Sequence, residues 1–423
     1  MKSVFIAHAR VIDPANHIDA VKNIYIQDGK IADISDTEYQ ADIYIDASGL
    51  AAAPGLVDMH VHLRDPGFTA KEDILTGCNA ACAGGVTSLL AMPNTNPVVD
   101  SPEVVEYIRK KSEKAKANVY ITASVTKGLK SRELCNIEEL AKAGAIALSD
   151  DGRPVENTKF MAQAMIQAPK NNMCVVAHCE DLYLADGGKM NEGEVSRKLG
   201  VKGIPRAAED TGTAREIALA AAYDVPIHIC HVSTKTSVAL IRDAKARGVK
   251  VTAETAPHYI SLTEKALLAR DADFRMNPPL RCDDDVQAVI EGLCDGTLDA
   301  VATDHAPHTP QEKADFEKAP NGSIGMETSL SVAITYLVDK GYLTLSQLIE
   351  KMSLNPAKIL HIPAGTLSVG ANADVVLFNP DEIYTVDVNQ LHGKSKNTPF
   401  KNMTLKGKVK YTLLDGNIVY QEI

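Results

Sequence analysis

Residues 56–67 read LVDMHVHLRDPG, and this stretch carries most of the information about the fold. Because successive side chains of a β-strand point to opposite faces, the pattern separates into two sets. The odd positions are all apolar: Val57, Met59, Val61 and Leu63. The even positions are mostly polar: Leu56, Asp58, His60, His62 and Arg64. A strand with an acid, two histidines and an arginine on one face indicates that this face has a chemical role.

This stretch is the first of eight apolar runs that are typical of strands, at 56–63, 86–92, 119–124, 145–149, 173–178, 226–231, 249–254 and 299–303. Segments with helical periodicity lie between them, at 102–117, 158–169, 210–223 and 234–248. Eight strands alternating with helices predict an α/β protein with a parallel (β/α)8 barrel of the TIM type. An open, doubly wound sheet is the alternative, weakened because no Gly-x-Gly-x-x-Gly follows the first strand.

Both ends of the chain have a different, β-rich pattern. Asp28-Gly29 and Asp415-Gly416 each stand between two strand-like runs, which predicts two hairpins. The simplest assembly is a small β-sandwich built from both termini, with the barrel inserted between them. The predicted domains are therefore a discontinuous β-sandwich of residues 1–52 and 363–423, and a barrel of residues 53–362.

The composition excludes several classes of protein. The 423 residues carry a formal net charge of −11, and no Lys/Arg stripe is present, so a nucleic-acid partner is not expected. The eight cysteines include no Cys-x-x-Cys pair, and the N-terminal residues do not resemble a secretory signal. No apolar run reaches about 18 residues, so no membrane span is expected. A cytoplasmic location with reduced thiols is predicted.

Polar side chains follow almost every predicted barrel strand, at the end where TIM-type barrels place their active sites. The residues concerned are His60, His62, Arg64, Asn94, Asp150, Asp151, His178, His231, His258, Asn277, Asp304, His305 and His308. Imidazole and carboxylate groups together suit zinc-like divalent ions. Four histidines with two aspartates exceed the needs of one tetrahedral ion, which predicts two metals sharing a bridging ligand.

Each of these signals also has a simpler interpretation. A single His-x-His in a strand is more often structural, Asp-Asp-Gly is usually a turn, and Asp304 is a good helix cap. What these interpretations leave unexplained is the placement of all the polar residues at successive strand ends. His228, with strand parity opposite to that of His231, is expected to face the helices. His258 stays undecided between a supporting role and packing.

At this point a resemblance becomes specific. The segments DMHVHLRDPG, AMPNTNP, SDDG, HCED, HVST, ETAPHY, MNPPLR and DHAPH resemble, in order, the motif series of dihydroorotases in the cyclic amidohydrolase superfamily. The segment NPAKILHIPAGTLSVGANADVVLF is similar to the C-terminal pattern of that superfamily. The resemblance implies reversible cyclisation of N-carbamoyl-L-aspartate to L-dihydroorotate, a step of pyrimidine synthesis.

The resemblance also implies a zinc site of one or two ions, with two expected. His60, His62 and Asp304 would hold the buried ion, and His178 and His231 the more exposed one. Asp151 would bridge the ions, as in the bacterial subtype with an aspartate in place of a carboxylated lysine. Asp150 stays open as a substitute for Asp151. Asp58 is expected to orient one of the histidines.

The roles toward the substrate follow from the same resemblance. A metal-bound hydroxide would attack the ring amide, and Asp304 would carry the proton to the departing ring nitrogen. Arg64 would grip the substrate carboxylate. Asn94 and His308 would add hydrogen bonds, and Asn277 would contact the ring amide edge.

Two rival functions share much of this pattern. Hydantoinases, dihydropyrimidinases and allantoinases have the same metal set, but most lack Arg-Asp-Pro-Gly after His-x-His, since a neutral ring has no carboxylate to hold. A non-catalytic partner of aspartate transcarbamoylase is the second rival. A homodimer and an association with aspartate transcarbamoylase are left open. The polar segment 307–327 is rich in Pro and Gly, and it is either a lid over the site or a solvated loop.

Overall fold

The N-terminal part of the chain forms a β-meander with two further short strands. A computed structural model describes residues 2–422. The five strands are β1 (Val4–Asp13), β2 (Ile18–Gln27), β3 (Lys30–Ser35), β4 (Ile43–Asp46) and β5 (Ala51–Pro54). Asp28 and Gly29 join β2 to β3 with φ angles of 51° and 75°. Two positive φ angles are what a two-residue hairpin turn requires, so the predicted hairpin is confirmed.

The middle of the chain forms the barrel. Its ten strands are β6 (Leu56–Val61), β7 (Val86–Ala91), β8 (Asn118–Ala123), β9 (Ala147–Leu148), β10 (Cys174–Ala177), β11 (Met190–Asn191), β12 (Gly203–Ile204), β13 (Ile227–Ile229), β14 (Val251–Thr255) and β15 (Ala300–Val301). All except β11 and β12, which pair with each other, form one parallel eight-stranded sheet in chain order. The backbone N–H of His62 donates to the carbonyl of His305 at 2.8 Å and joins the two edges of this sheet. The predicted (β/α)8 barrel is confirmed.

Helices connect the barrel strands, and most begin at a residue whose side chain can cap them. The helices are α1 (Ile74–Ala83), α2 (Pro102–Ser112), α3 (Ile137–Ala143), α4 (Thr158–Gln167), α5 (Leu182–Ala185), α6 (Glu194–Leu199), α7 (Ala207–Tyr223), α8 (Lys235–Ala246), α9 (Pro257–Ser261), α10 (Asp283–Cys294), α11 (Pro310–Lys313), α12 (Ser329–Ala333), α13 (Leu345–Ile349) and α14 (Asn355–Leu360). Asp73, Asn157 and Thr234 accept hydrogen bonds from the first turns of α1, α4 and α8. The four helical segments predicted from periodicity are α2, α4, α7 and α8.

The C-terminal strands return to the N-terminal ones. These strands are β16 (Val375–Thr385), β17 (Thr404–Leu414) and β18 (Asn417–Gln421). β16 pairs antiparallel with β5, and the sheet order is β18-β17-β16-β5-β1-β2-β3, with β4 beside β1. Asp415 and Gly416 turn the second predicted hairpin with φ angles of 46° and 73°. The two termini therefore share one sheet, which has its own apolar core. The division into two domains stays a prediction, and β5 runs across its first limit at 52/53.

The alternation of β6 is less regular than its sequence suggests. The pairing of β6 with β7 shifts register between Leu56 and Val57 and again between Asp58 and Val61. Val57 and Met59 pack with Leu360 of α14 in one apolar cluster, whereas Val61 belongs to a different one. The simple division into one apolar and one polar face is therefore wrong, because bulges break a strict two-residue period. All six residues of the strand are buried.

Candidate metal centre

The side chains predicted for the site meet in one cavity. This cavity, at the carboxyl ends of the barrel strands, has a volume of about 230 Å³. It is lined by His62, Arg64, Asn94, Asp151, Gly152, His178, His231, Asn277, Asp304, Ala306, His308, Asn321 and Gly322. Nine of the ten predicted site residues are in this set. The tenth, His60, is fully buried next to His62 and Asp151.

Two histidines and two aspartates form the buried half of the cluster. His60 Nε2 lies 3.2 Å from Asp151 Oδ1, and His62 Nε2 lies 3.3 Å from Asp151 Oδ2. Asp304 Oδ1 lies 3.1 Å from His62 Nε2 and 3.6 Å from His60 Nε2. Ligand atoms this close, from three different barrel strands, fit around one small cation.

Asp151 also belongs to a second group on the open side of the cavity. Its Oδ1 lies 3.6 Å from both His178 Nδ1 and His231 Nε2. These two ring nitrogens are 2.9 Å apart. His60 and His62 on one side and His178 and His231 on the other thus share one carboxylate. This is the geometry expected of a bridging ligand between two ions.

The bonding of the cluster fits a metal ion. His60 Nε2 and Asp151 Oδ1 are buried and have no hydrogen-bond partner among the described residues. Buried polar atoms in folded proteins are almost always satisfied, and an ion between these two atoms would supply the partner that both lack. Imidazole nitrogen with carboxylate oxygen is a donor set that zinc accepts.

The charges of the cluster agree with this assignment. Burial alone would raise the pKa of Asp151, but the surrounding imidazoles of His60, His178 and His231 hold this pKa well below its usual range. The pKa of Asp304 is also lowered, because a hydrogen bond from His62 and nearby imidazoles outweigh burial. Both carboxylates are therefore ionised at neutral pH, as metal ligands must be.

Asp150, the substitute left open by the sequence, has a different environment. Its Oδ1 accepts hydrogen bonds from the backbone N–H groups of Val125 at 2.7 Å and Thr126 at 3.0 Å. The hydroxyl of Thr126 donates to its other oxygen. Burial raises the pKa of Asp150 to about 6. The structure thus brings Asp151 into the cluster and turns Asp150 toward the loop after β8.

Three residues of the cavity other than glycine have left-handed backbone conformations. The φ angles are 62° at Arg64, 39° at His231 and 47° at Asp304. Such angles are costly for residues other than glycine and are concentrated at functional sites. Each of these residues follows a barrel strand, where the change of backbone direction sets the direction of the side chain. Because His231 lies beyond β13 with a positive φ angle, its direction is no reference for the side-chain directions within that strand.

Arg64 is the cation of the cavity. Its Nε donates to the carbonyl of Pro307 at 3.2 Å, and its Nη2 lies 3.4 Å from His308 Nε2. Burial lowers the pKa of Arg64 to about 10, so the guanidinium remains charged at neutral pH. Within residues 2–422 no carboxylate forms an ion pair with it. Arg64 therefore has donors available for an anionic ligand.

The two predicted asparagines both contact other site groups. Asn94 Oδ1 lies 2.8 Å from His62 Nδ1 and accepts a hydrogen bond from the N–H there, which leaves the lone pair on Nε2, facing the cluster. Asn277 Nδ2 donates to both oxygens of Glu180, at 3.2 and 3.1 Å. Glu180 in turn lies 3.2 Å from His178 Nε2. Asn94 and Asn277 therefore support the histidines as well as lining the cavity.

The segment 307–327 is held against the cavity by other parts of the chain. The N–H of Gly322 donates to the carbonyl of Arg275 at 2.9 Å. Asn397, from the segment between β16 and β17, accepts from the N–H of His308 at 3.0 Å and donates to the carbonyl of Gly322 at 3.1 Å. Asn321 and Gly322 line the cavity. Closure of this segment as a lid stays a prediction.

Two expectations about supporting residues are wrong. Asp58 does not contact a histidine ring; it accepts from the hydroxyl of Thr303 at 2.6 Å and from backbone N–H groups. His60 Nδ1 instead lies 2.9 Å from Glu254 Oε1. His228 does not face the helices, because its Nε2 lies 3.3 Å from Glu254 Oε2 inside the barrel. The expected direction of His228 was wrong because it was taken relative to His231, which lies beyond β13 at a positive φ.

Glu254, Glu180 and Asn397 were missed by sequence reasoning. Glu254 lies in a quoted motif, ETAPHY, and an acid near the end of an otherwise apolar strand is a usable signal. Glu180 stands two residues after His178 in HCED, a second usable signal. Asn397 lies far from the barrel strands in sequence and carried no signal. His258, left undecided, is buried against Tyr259 with ring centroids 4.1 Å apart and does not line the cavity.

A TIM-type barrel with this cluster at its carboxyl end defines the class: an amidohydrolase, a superfamily that is metal-dependent. A family model described as Dihydro-orotase-like matches residues 49–237, and one described as Amidohydrolase family matches residues 241–420. The dihydroorotase of Acetivibrio thermocellus is 50% identical over 422 residues, covering 99% of each chain. The dihydroorotase of Geobacter metallireducens is 50% identical over 428 residues, covering 99% of this chain and 100% of the relative. The chain belongs to the dihydroorotase family.

Solved structures agree with the fold. The L-hydantoinase (dihydropyrimidinase) from Arthrobacter aurescens matches with a TM-score of 0.89 at 26% identity, covering 100% of this chain and 96% of the other. The dihydropyrimidinase from Brevibacillus agri NCHU1002 matches with a TM-score of 0.86 at 26% identity, covering 99% and 95%. These proteins represent the rival cyclic amidases, but the full-length relatives at about twice that identity support the dihydroorotase assignment. In residues 2–422 no helix has the length and apolarity to cross a membrane.

Proposed function

We propose that the chain catalyses the reversible, zinc-dependent cyclisation of N-carbamoyl-L-aspartate to L-dihydroorotate, the step of pyrimidine synthesis that its relatives' name denotes. One observation carries the choice of substrate. Arg64, a cation without a carboxylate partner in the described chain, lines the same cavity as the histidine–aspartate cluster. A guanidinium fork pairs with a carboxylate in bidentate fashion, and dihydroorotate has one.

The metal ligands we propose are His60, His62, Asp151 and Asp304 for the buried ion. For the second ion we propose Asp151, His178 and His231. Zinc ions held there would supply Lewis acidity toward a water molecule and toward the carbonyl of the ring amide. Two ions per chain are proposed because the four histidines divide into two groups around the single carboxylate of Asp151.

Protons are moved by the protein. In the hydrolytic direction the ionised carboxylate of Asp304 takes a proton from the attacking water and donates it to the ring nitrogen as the amide bond breaks. In the synthetic direction the same carboxylate removes the proton from the carbamoyl nitrogen. Asp304 suits both steps because its Oδ1 lies 3.1 Å from His62 Nε2, at the boundary between cluster and cavity.

The other cavity residues orient the substrate. Arg64 holds the carboxylate, and Asn94 and His308 add hydrogen bonds around it. Asn277 contacts the ring amide edge. Burial and the neighbouring cation of Arg64 lower the pKa of His308 to about 3, so its imidazole is neutral and does not compete with Arg64 for the carboxylate.

Substrate preference tests this proposal. Zinc-loaded enzyme is assayed with dihydroorotate, hydantoin and dihydrouracil, and the same assays are run on Arg64→Gln. We expect dihydroorotate to be preferred and Arg64→Gln to lose about 10- to 100-fold in kcat/KM for it, as a lost charged hydrogen-bond pair costs. Faster turnover of the neutral rings by wild-type enzyme, with Arg64 dispensable, would instead identify a hydantoinase-like enzyme.

The sequence also left open a homodimer, an association with aspartate transcarbamoylase and a cytoplasmic location, and these stay predictions. Size-exclusion chromatography with light scattering, on the chain alone and mixed with aspartate transcarbamoylase, tests the first two. We also keep the proposal of two domains, 1–52 with 363–423 and 53–362.

A further inference from the structure

An acidic side chain lies inside the barrel beneath the metal cluster. Glu254 is on β14 and is 1% exposed. Its Oε1 lies 2.9 Å from His60 Nδ1, and its Oε2 lies 3.3 Å from His228 Nε2. His228 Nδ1 lies 2.9 Å from the hydroxyl oxygen of Thr252. A series of close polar contacts therefore runs through the barrel interior from Thr252 to His60, in which the link between His228 and Glu254 is a charge contact and not a hydrogen bond.

We propose that Glu254 is a positioning residue for the metal centre: its carboxylate holds the ring of His60 with Nε2 directed at Asp151, and His228 holds Glu254 in place. This inference rests on the proposed function, because it gives His60 the role of a metal ligand. It adds two residues, Glu254 and His228, that never reach the cavity where the substrate binds.

The tautomer of His60 gives the first argument. A carboxylate accepts hydrogen bonds only, so the proton of a neutral His60 ring must be on Nδ1, facing Glu254. The lone pair is then on Nε2, 3.2 Å from Asp151 Oδ1. Nε2 is also the nitrogen that is buried without a hydrogen-bond partner. Glu254 thus selects the tautomer in which His60 can bind an ion.

The comparison between His60 and His62 gives the second argument. Each of these rings has an acceptor 2.8 to 2.9 Å from its Nδ1, an amide oxygen of Asn94 for His62 and a carboxylate oxygen of Glu254 for His60. An amide is therefore sufficient to fix a tautomer at this site. A buried carboxylate is expensive to desolvate, and its negative charge makes the partner imidazole a stronger donor to a cation. The charge of Glu254 is accordingly expected to matter for metal affinity.

The test compares Glu254→Gln, Glu254→Leu and wild type. Zinc affinity is measured by competition with a chelator, and the ligand field is measured by the visible spectrum after cobalt substitution. We expect zinc affinity about 10- to 100-fold weaker in Glu254→Gln, which keeps an acceptor but loses the charge, and weaker again in Glu254→Leu. We expect the cobalt spectrum to change in both variants. His228→Gln is expected to shift zinc affinity in the same direction by a smaller factor.

Asp374→Asn is the matched control. Asp374 is also a buried carboxylate, but it lies beside β16 and accepts from the backbone N–H of Asp415 at 2.8 Å. This variant is expected to bind zinc like wild type. If Glu254→Leu does not fold, Glu254→Gln still tests the inference, because glutamine has the same shape as glutamate.

Wild-type zinc affinity and an unchanged cobalt spectrum in Glu254→Gln would overturn the inference and leave Glu254 a packing residue. The fate of the proposed function is separate. If wild-type enzyme did not hydrolyse dihydroorotate while Glu254→Gln still lost zinc affinity, the substrate assignment would fail and the positioning role would stand.

Discussion

Asp150 and Asp151 are adjacent in sequence but have opposite surroundings. Asp151 faces four histidines within 3.6 Å or less of its carboxylate oxygens. Asp150 faces backbone N–H groups of the loop after β8. The backbone N–H of Asp151 donates to the hydroxyl of Ser149 at 3.0 Å, which fixes the turn that separates the two side chains. Only one of the two carboxylates is therefore placed to bridge metals.

The first prediction follows from this pair. We expect Asp151→Asn to lose most bound zinc, because the bridging charge is removed from both groups of histidines. Asp150 lies away from the histidines, and an asparagine there keeps an oxygen that can accept the same backbone hydrogen bonds. The zinc content of Asp150→Asn is therefore expected to equal that of wild type. Metal analysis of both purified variants is the measurement. Loss of zinc in Asp150→Asn with retention in Asp151→Asn would reverse the assignment.

The second prediction concerns the proton carrier. We expect Asp304→Asn to lower kcat for dihydroorotate by roughly 10²- to 10⁴-fold, the usual contribution of a general acid–base residue. Because the pKa of Asp304 lies below its ordinary value, the carboxylate is ionised between about pH 5 and 9, and the decrease in kcat should be present throughout that range. Steady-state kinetics at successive pH values are the measurement. A decrease of less than tenfold would show that another group moves the proton.

Ten site residues could be predicted from the sequence, and the structure brings them together, but not all of their contacts could be predicted. His60, His62, His178, His231 and Asp304 were accessible because each follows an apolar run that ends at the same rim. Whether Asp150 or Asp151 faces the cluster depends on a turn that the pattern SDDG does not specify. The roles of Asp58 and Glu254 depend on pairing between distant strands, which one-dimensional periodicity does not contain.

At the scale of elements, the segment after β15 forms one side of the cavity. It contributes His308, Asn321 and Gly322 to the lining, and Arg275 and Asn397 hold it in place through hydrogen bonds. Gly322 has a φ angle of 130°, and a Cβ there would meet Ala306 Cβ at 2.7 Å and His308 Nε2 at 3.1 Å. The close approach and the backbone conformation both require glycine.

The third prediction tests this requirement. We expect Gly322→Ala to lower kcat/KM by at least about tenfold, because the added methyl group displaces His308 or the segment itself. Gly296→Ala is the matched control, since Gly296 also has a positive φ of 82° but has nothing within 4 Å of the added Cβ. Gly296→Ala should lower thermal stability and leave kcat/KM unchanged. Equal activity in the two variants would show that the segment tolerates the methyl group.

The elements themselves were largely predictable. All eight apolar runs became barrel strands, because alternation of strands with helices is strongly patterned in α/β proteins. The register shifts of β6 could not be predicted, because they arise from its pairing with β7. The helical runs 329–338 and 345–360 were also absent from the prediction; each contains a π-helical stretch, at 334–338 and 350–354, which interrupts the 3.6-residue period.

At the scale of the whole molecule, the C-terminal segment connects the terminal sheet to the barrel. His392 Nδ1 lies 2.8 Å from Glu327 Oε2, and the backbone N–H of His392 donates to the same carboxylate. The hydrogen bond to Glu327 raises the pKa of His392 above its ordinary value, although partial burial opposes the shift. The protonated form of His392 is therefore favoured in the folded state.

The fourth prediction is the pH dependence of stability that this pair produces. Because the folded-state pKa of His392 is raised, its contribution is fully present below the ordinary pKa of 6.5 and is lost as pH rises through the folded-state pKa. His392 is half-exposed, so screening limits the effect to less than about 1 kcal/mol. Thermal unfolding is measured at successive pH values. As pH rises, the melting temperature of His392→Gln should fall less than that of wild type. Identical pH profiles would exclude the pair as a contributor.

We expect the chain to act as a zinc-dependent dihydroorotase, and one paired measurement tests this expectation. Zinc is counted on purified enzyme and compared, on the same sample, with the rate of L-dihydroorotate hydrolysis. We expect two zinc ions per chain, and turnover that disappears on chelation and returns with zinc. A chain that binds no zinc and does not hydrolyse dihydroorotate after zinc is added would instead have a non-catalytic role.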